Sequence, residues 1–280
     1  MATRKVLKTV TGTRQIDGAG VRLVRVIGYH DVRDFDPFLM LDAFDSRNPN
    51  DYIKGFPYHP HRGIETFTYL IKGQMEHGDS LGNRGSIGDG EAQWMTAGSG
   101  IMHQEMPQAS EHLLGFQLWI NLPQKDKMIQ PCYFDVKRDM IKTVAEENAT
   151  VKIVAGDYKN QSGVKGKHVE IQLLDIQVQP CKNMEMLTDK NCNLFVYIIE
   201  GSGFFGDDST REIPRSTAVL FDSAENFRVV AGKEGIRFAL FAGKPLKEPV
   251  AWGGPIVMNT REELDRAFVE LDEGTFIKHQ

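Results

Sequence analysis

Short apolar runs of strand length recur through this chain, separated by turn-forming residues, and they leave little room for anything but β-structure. Val21 to Tyr29 (VRLVRVIGY), Thr66 to Gly73 (TFTYLIKG) and Leu113 to Leu122 (LLGFQLWINL) are rich in β-branched and aromatic residues. None approaches the roughly 18 apolar residues of a membrane-spanning helix. Between runs the glycine content rises, most densely in GDSLGNRGSIGDGEA from Gly78 to Ala92, where the chain must reverse sharply. An all-β fold is expected.

The pattern is repeated. Phe195, Tyr197, Ile199 and Gly201 stand to one another as Phe67, Tyr69, Ile71 and Gly73 do, at an offset of 128, and each set leads into a glycine-rich turn. With 280 residues, two β-barrel or sandwich modules of ordinary size are expected, each with its own core. The strand pattern lapses in the polar stretch from Lys137 to Val144, which predicts domains over 1–136 and 137–280. Near the end, Thr260 and Glu263 form a capping box, Leu264, Ala267, Phe268 and Leu271 share one face, and Gly274 is a stop. This predicts a short helix packed on a β module.

Within FPYHPHRG, His59 and His61 are separated by one residue. In an extended strand, residues two apart point to the same side, so the two imidazoles are presented together. Pro57 and Pro60 fit an edge or bulged strand, because proline donates no ladder hydrogen bond. A second pair with the same spacing, His103 and Glu105, follows in TAGSGIMHQEMP. Three imidazoles and a carboxylate suit Fe, Mn, Ni, Cu or Zn and leave coordination positions open on a five- or six-coordinate ion. By contrast His30, His112 and His168 have no partner at ligand spacing, and His77 is only a minor candidate. Trp94 and Trp119 are expected in the core. No histidine lies between His168 and His279, and the offset of 128 carries His59 and His61 to Leu187 and Asp189, so the second module is expected to lack a histidine-held metal.

The spacing His59-x-His61-x3-Glu65 resembles the first metal motif of the cupin superfamily, and Gly100-x2-His103 resembles the second. The wording FPYHPHRGIETFTYLIKGQMEHGDSLGNRG, followed by QWMTAGSGIMHQEMP and GFQLWINLPQKDKM, is similar to the pirin family of two-cupin proteins. The resemblance implies two cupin barrels in tandem. It further implies one divalent transition metal per chain, iron(II) foremost, with Mn, Ni, Cu, Co and Zn as other ions that the donors accept. His59, His61, His103 and Glu105 are implied as its ligands. Glu65 falls to a supporting position, either orienting a ligand or closing a buried hydrogen bond.

Similar pirins act as quercetin 2,3-dioxygenases, which implies a flavonol-like substrate and O2, with Glu105 as the residue that takes the substrate's 3-hydroxyl proton. Other pirins imply a different class of role: an iron-dependent co-regulator that binds a protein partner, or a modulator of a metabolic enzyme. Composition narrows the field from the other side. The net charge of −5 gives no basic footprint for nucleic acid. Cys132, Cys181 and Cys192 are odd in number and scattered, which argues against a disulfide framework. The opening MATRKVLKTVTGTRQIDG has no apolar core of a secretory signal, and 41% hydrophobic with 25% charged residues fits a globular chain. A cytoplasmic monomer without membrane contact is expected.

Overall fold

The computed structural model describes residues 2–207 and 210–279. It folds as two cupin domains, almost entirely of antiparallel strands. The two compact units are discontinuous in sequence. The first barrel comprises Thr13–Val32, Phe38–Arg138 and the chain from Leu246 onward; the second comprises the residues through Gly12, Arg33–Pro37 and Asp139–Pro245.

This arrangement corrects the single cut expected after residue 136, and pairing explains it. Strand Val6–Thr11 pairs with Thr217–Phe221, so the start of the chain completes the second barrel. The C-terminal helix also belongs to the other barrel than the sequence implied. Helix Arg261–Asp272 is capped by Thr260, whose hydroxyl accepts from Glu263 N while Glu263 closes the box. Its apolar face, Leu264 and Ala267 with Phe268 and Leu271, packs with Ile256, Met258 and Phe276 in a cluster of the first barrel.

Each barrel has a broad sheet of the same connectivity except at one edge, where Cys132–Val136 follows the other strands in the chain and Val6–Thr11 precedes them. In the first, the order runs Cys132–Val136, Glu91–Thr96, Ile64–Lys72, Leu113–Asn121, Phe38–Ser46, Val21–Ile27 and Thr13–Asp17. In the second it runs Val6–Thr11, Thr217–Phe221, Asn193–Phe205, Asn226–Gly243, Ile171–Val178, Ala149–Ala155 and Lys142–Ala145. The repeated segments Ile64–Lys72 and Asn193–Phe205 occupy the same third position. Ile64–Lys72 is buried on both faces up to Leu70 and Ile71, which fits its nearly unbroken run of apolar and threonine side chains.

A smaller face closes each barrel. In the first barrel it is the four-stranded sheet Phe56–His61, Ile101–Gln108, Gln74–Asp79 and Arg84–Ile87. Strand Ile101–Gln108 alternates strictly between buried and half-buried residues, and His103 and Glu105 both fall on the buried parity. Among the described residues, no helix is long and apolar enough to cross a membrane.

Candidate metal centre

Strand pairing brings the two sequence motifs together. Phe56–His61 runs antiparallel to Ile101–Gln108, with His59 opposite His103 and a bulge between His103 and Glu105. Ring centroids of His59 and His61 are 4.8 Å apart, those of His59 and His103 4.4 Å, and those of His61 and His103 5.0 Å. One ligand nitrogen from each of the three histidines lies within 4.8 Å of the others.

Hydrogen bonding sets which nitrogens face inward. His59 Nδ1 lies 2.9 Å from Pro57 O, and His61 Nδ1 lies 3.0 Å from Pro255 O. A carbonyl only accepts, so each Nδ1 carries the hydrogen and each neutral ring keeps its lone pair at Nε2. These two Nε2 atoms nevertheless stand 3.1 Å apart, acceptor facing acceptor. His103 Nε2 is buried without a hydrogen-bond partner among the described residues. Three converging lone pairs are unfavourable alone and satisfied together by a cation, so the donor set fits a metal ion. Burial, with the neighbouring His59 ring, pushes His61 down to about 3. Burial and the neighbouring imidazoles also lower His103 well below the ordinary histidine range. Both rings therefore remain neutral at physiological pH, the form in which an imidazole can bind a metal ion.

Glu105 lies two residues beyond His103 on the same face, but its carboxylate stands outside the three-histidine group. It accepts from Thr68 Oγ1 at 3.0 Å and from Gln117 Nε2 at 2.8 and 2.7 Å. Trp119 Nε1 donates to Gln117 Oε1 at 3.1 Å, which fixes the amide so that its NH2 faces Glu105. Thr68, Gln117 and Trp119 were not assigned a site role from sequence, and Trp119 proves to be both buried and on the wall of the site, with its ring edge-on to His61 at 4.9 Å. The available signal was a lone glutamine inside an otherwise apolar strand run.

Glu65 closes a buried hydrogen-bond pair and orients none of the histidines. Its carboxylate accepts from Trp94 Nε1 at 3.1 Å and Thr96 Oγ1 at 2.7 Å. It stands three positions before Thr68, an odd offset, so strand parity turns it to the opposite face of Ile64–Lys72 from the side chain that meets Glu105. His77 pairs in register with Glu105, but its Nε2 bonds to Asp135 Oδ1 at 3.0 Å.

His59, His61 and Glu105 border a cavity of about 760 Å³ that opens outward. Aromatic rings of Tyr29, Phe44, Phe56, Trp119 and Trp252 form much of its wall. Arg25, also on the wall, is fixed by Asp42, through Nε at 2.9 Å and Nη2 at 2.7 Å, and by Asp17 at 2.8 Å. The volume lies within the ordinary range of small-molecule sites.

Two cupin barrels, one of them carrying a cluster of imidazoles able to hold a metal ion beside an aromatic cavity, define a bicupin with, among the described residues, a single candidate centre. Family profiles agree in detail: Pirin matches residues 20–120 and the Pirin C-terminal cupin domain matches residues 173–277. A pirin-like protein of Caulobacter vibrioides is 40% identical over 280 residues, covering 99% of this chain and 100% of its own. A Pseudomonas aeruginosa protein that bears the name quercetin 2,3-dioxygenase provisionally is 41% identical, over 97% of each chain. The crystal structure of a quercetin 2,3-dioxygenase from Acinetobacter baumannii superposes with a TM-score of 0.89 at 28% identity, covering 98% of this chain and 99% of that one. The chain belongs to the pirin family.

Proposed function

We propose that the chain is a metal-dependent dioxygenase that opens the heterocycle of a flavonol such as quercetin with O2, releasing carbon monoxide. The observation that carries this reading is the convergence of one ring nitrogen from each of three histidines beside a hydrogen-bonded carboxylate, at a cavity walled by aromatic rings. The likeness to proteins named for that activity supports it.

His59, His61 and His103 would hold the ion through Nε2, with Glu105 as a fourth ligand, and iron(II) is the ion proposed first. When bound, such an ion supplies Lewis acidity toward an enol oxygen and a meeting point for the enolate and O2. The remaining work falls to the protein. Glu105 takes the proton of the 3-hydroxyl, and Thr68 and Gln117 hold its carboxylate in place as it does so. A carboxylate engaged with a cation is a weaker base, so these donors also give Glu105 a second resting position between the two tasks. Trp119, Trp252 and Tyr29 offer flat apolar surfaces for the rings of the substrate and exclude water from the reacting face.

Oxygen uptake by metal-loaded protein tests the reading. Quercetin should start the uptake, carbon monoxide should be released with it, and Glu105→Gln should cut the rate by about 10²- to 10⁴-fold. Metal-loaded protein that consumes no O2 with any flavonol contradicts the dioxygenase and turns attention to a regulatory role for the same centre.

A further inference from the structure

The HPHRG stretch contains two residues, Arg62 and Gly63, that no ligand role explains. Both grip the segment that returns to the first barrel from Leu246 onward. Arg62 is buried, with Nε donating to Ser99 O at 2.7 Å, Nη2 to Phe276 O at 2.8 Å and Nη1 paired with Glu270 at 2.8 Å. Its guanidinium also lies over the Phe276 ring, 4.1 Å from the centroid. Gly63 sits at φ +77, and any Cβ there would collide with Val257 O, so only glycine admits the segment so closely. Lys127, also buried, joins the two chains: Nζ donates to Gly63 O at 2.8 Å, Val257 O at 3.0 Å and Asn121 Oδ1 at 2.7 Å.

What this grip holds is a hairpin, Ala251–Gly253 with Ile256–Met258, whose turn is Gly254–Pro255. Val257 N bonds to Arg62 O at 3.1 Å. That docking sets Pro255 O against His61 Nδ1 at 3.0 Å and places Trp252 on the cavity wall, 5.7 Å from Tyr29 and 5.9 Å from Trp119 between ring centroids.

We propose that the C-terminal strap is a positioning element of the metal centre: by holding Pro255 O on His61 Nδ1, it fixes the tautomer and aim of a ligand, so that metal affinity and strap docking are coupled. The coupling is reciprocal, as any linkage between two binding events must be. Outer hydrogen-bond partners of ligating histidines commonly contribute 10- to 100-fold in affinity. The proposal rests on His61 being a ligand. It does not depend on the reaction carried out there.

Titration of the full chain with Co2+, followed by visible absorption, tests it. Phe276→Ala, which removes the ring under Arg62, should weaken Co2+ binding about tenfold and alter the ligand-field bands. Ile87→Ala, a truncation in a separate hydrophobic cluster of the same barrel, should leave both unchanged. Equal affinity in the strap variant and wild type overturns the coupling while leaving the centre intact. Wild type that binds no Co2+ removes the ligand reading itself. Hydrogen exchange at Val257 N in wild type gives a second readout that needs no variant, including where Phe276→Ala fails to fold. Slower exchange with Co2+ is expected, and exchange indifferent to the metal overturns the proposal.

Discussion

One row of residues across the broad sheet differs completely between the two barrels. In the first barrel the directly paired residues are Arg25, Asp42, Gln117, Thr68, Gln93 and Asp135. In the second the corresponding row is Ile153, Leu174, Leu240, Val196 and Val219, ending at Thr9. The smaller faces differ likewise: His59, His103 and Glu105 have as counterparts a face bearing Met184, Met186, Phe227, Val229 and Phe205, all in the core of the second barrel. Closely similar sheets thus support an apolar interior in one barrel and a polar one beside a cavity in the other.

The difference teaches where function costs stability. A buried carboxylate or amide must find partners or lose free energy, and the first barrel provides them one by one: Thr68 and Gln117 for Glu105, Arg25 for Asp42, Asp135 for His77. The second barrel has no such groups to satisfy in its row and fills the space with methyl and phenyl groups instead.

Exchanging one row position between the barrels should break the symmetry most visibly. Leu240→Gln would bury an amide among aliphatic side chains and is expected to cost about 3–5 kcal/mol, measured by denaturant unfolding. The reverse change, Gln117→Leu, should cost less, about 1–3 kcal/mol, because Glu105 loses its amide donor and Trp119 Nε1 its acceptor, and should lower flavonol-dependent O2 uptake about 10- to 100-fold. If both changes alter stability equally, the contrast between the rows is not energetic.

A pH dependence should belong to the first barrel alone at the matched position of Glu65, since the offset of 128 places Asn193 in the second. Burial pushes the Glu65 carboxyl up to about 7, opposed by its bonds from Thr96 and Trp94. Folded protein therefore retains a proton that the unfolded chain releases from an ordinary carboxyl near 4.5, and stability falls as pH rises from about 4.5 to about 7. Glu65→Gln should flatten that slope by up to about 3 kcal/mol in thermal or urea unfolding across this range. An unchanged slope would remove Glu65 as its source.

Trp252→Ala should raise the KM for a flavonol about tenfold with little change in kcat, if this ring contributes binding surface and not chemistry. Smallest is the strap's own cap: Thr260→Ala is expected to cost about 1 kcal/mol, seen as earlier melting of the first barrel.

The histidine pair was legible because a two-residue period is a local property of any strand, and the capping box of the C-terminal helix was legible for the same reason. Its destination was not, since nothing local in NTREELDRAFVEL says which barrel it will cover. Thr68 and Gln117 become site residues only through the register of three strands distant in sequence, and Arg62 only through a segment more than two hundred residues further on. Glu65 shows the reverse limit. Its spacing from His61 matched a ligand motif, while strand parity turned it to the other face.

Metal content per chain, measured by elemental analysis of wild type beside a His59→Ala, His61→Ala double variant, tests the central claim most directly. One transition-metal ion per wild-type chain and none in the variant is the predicted result. Wild type that cannot be loaded, or a variant that keeps its metal, would contradict a centre held by these imidazoles.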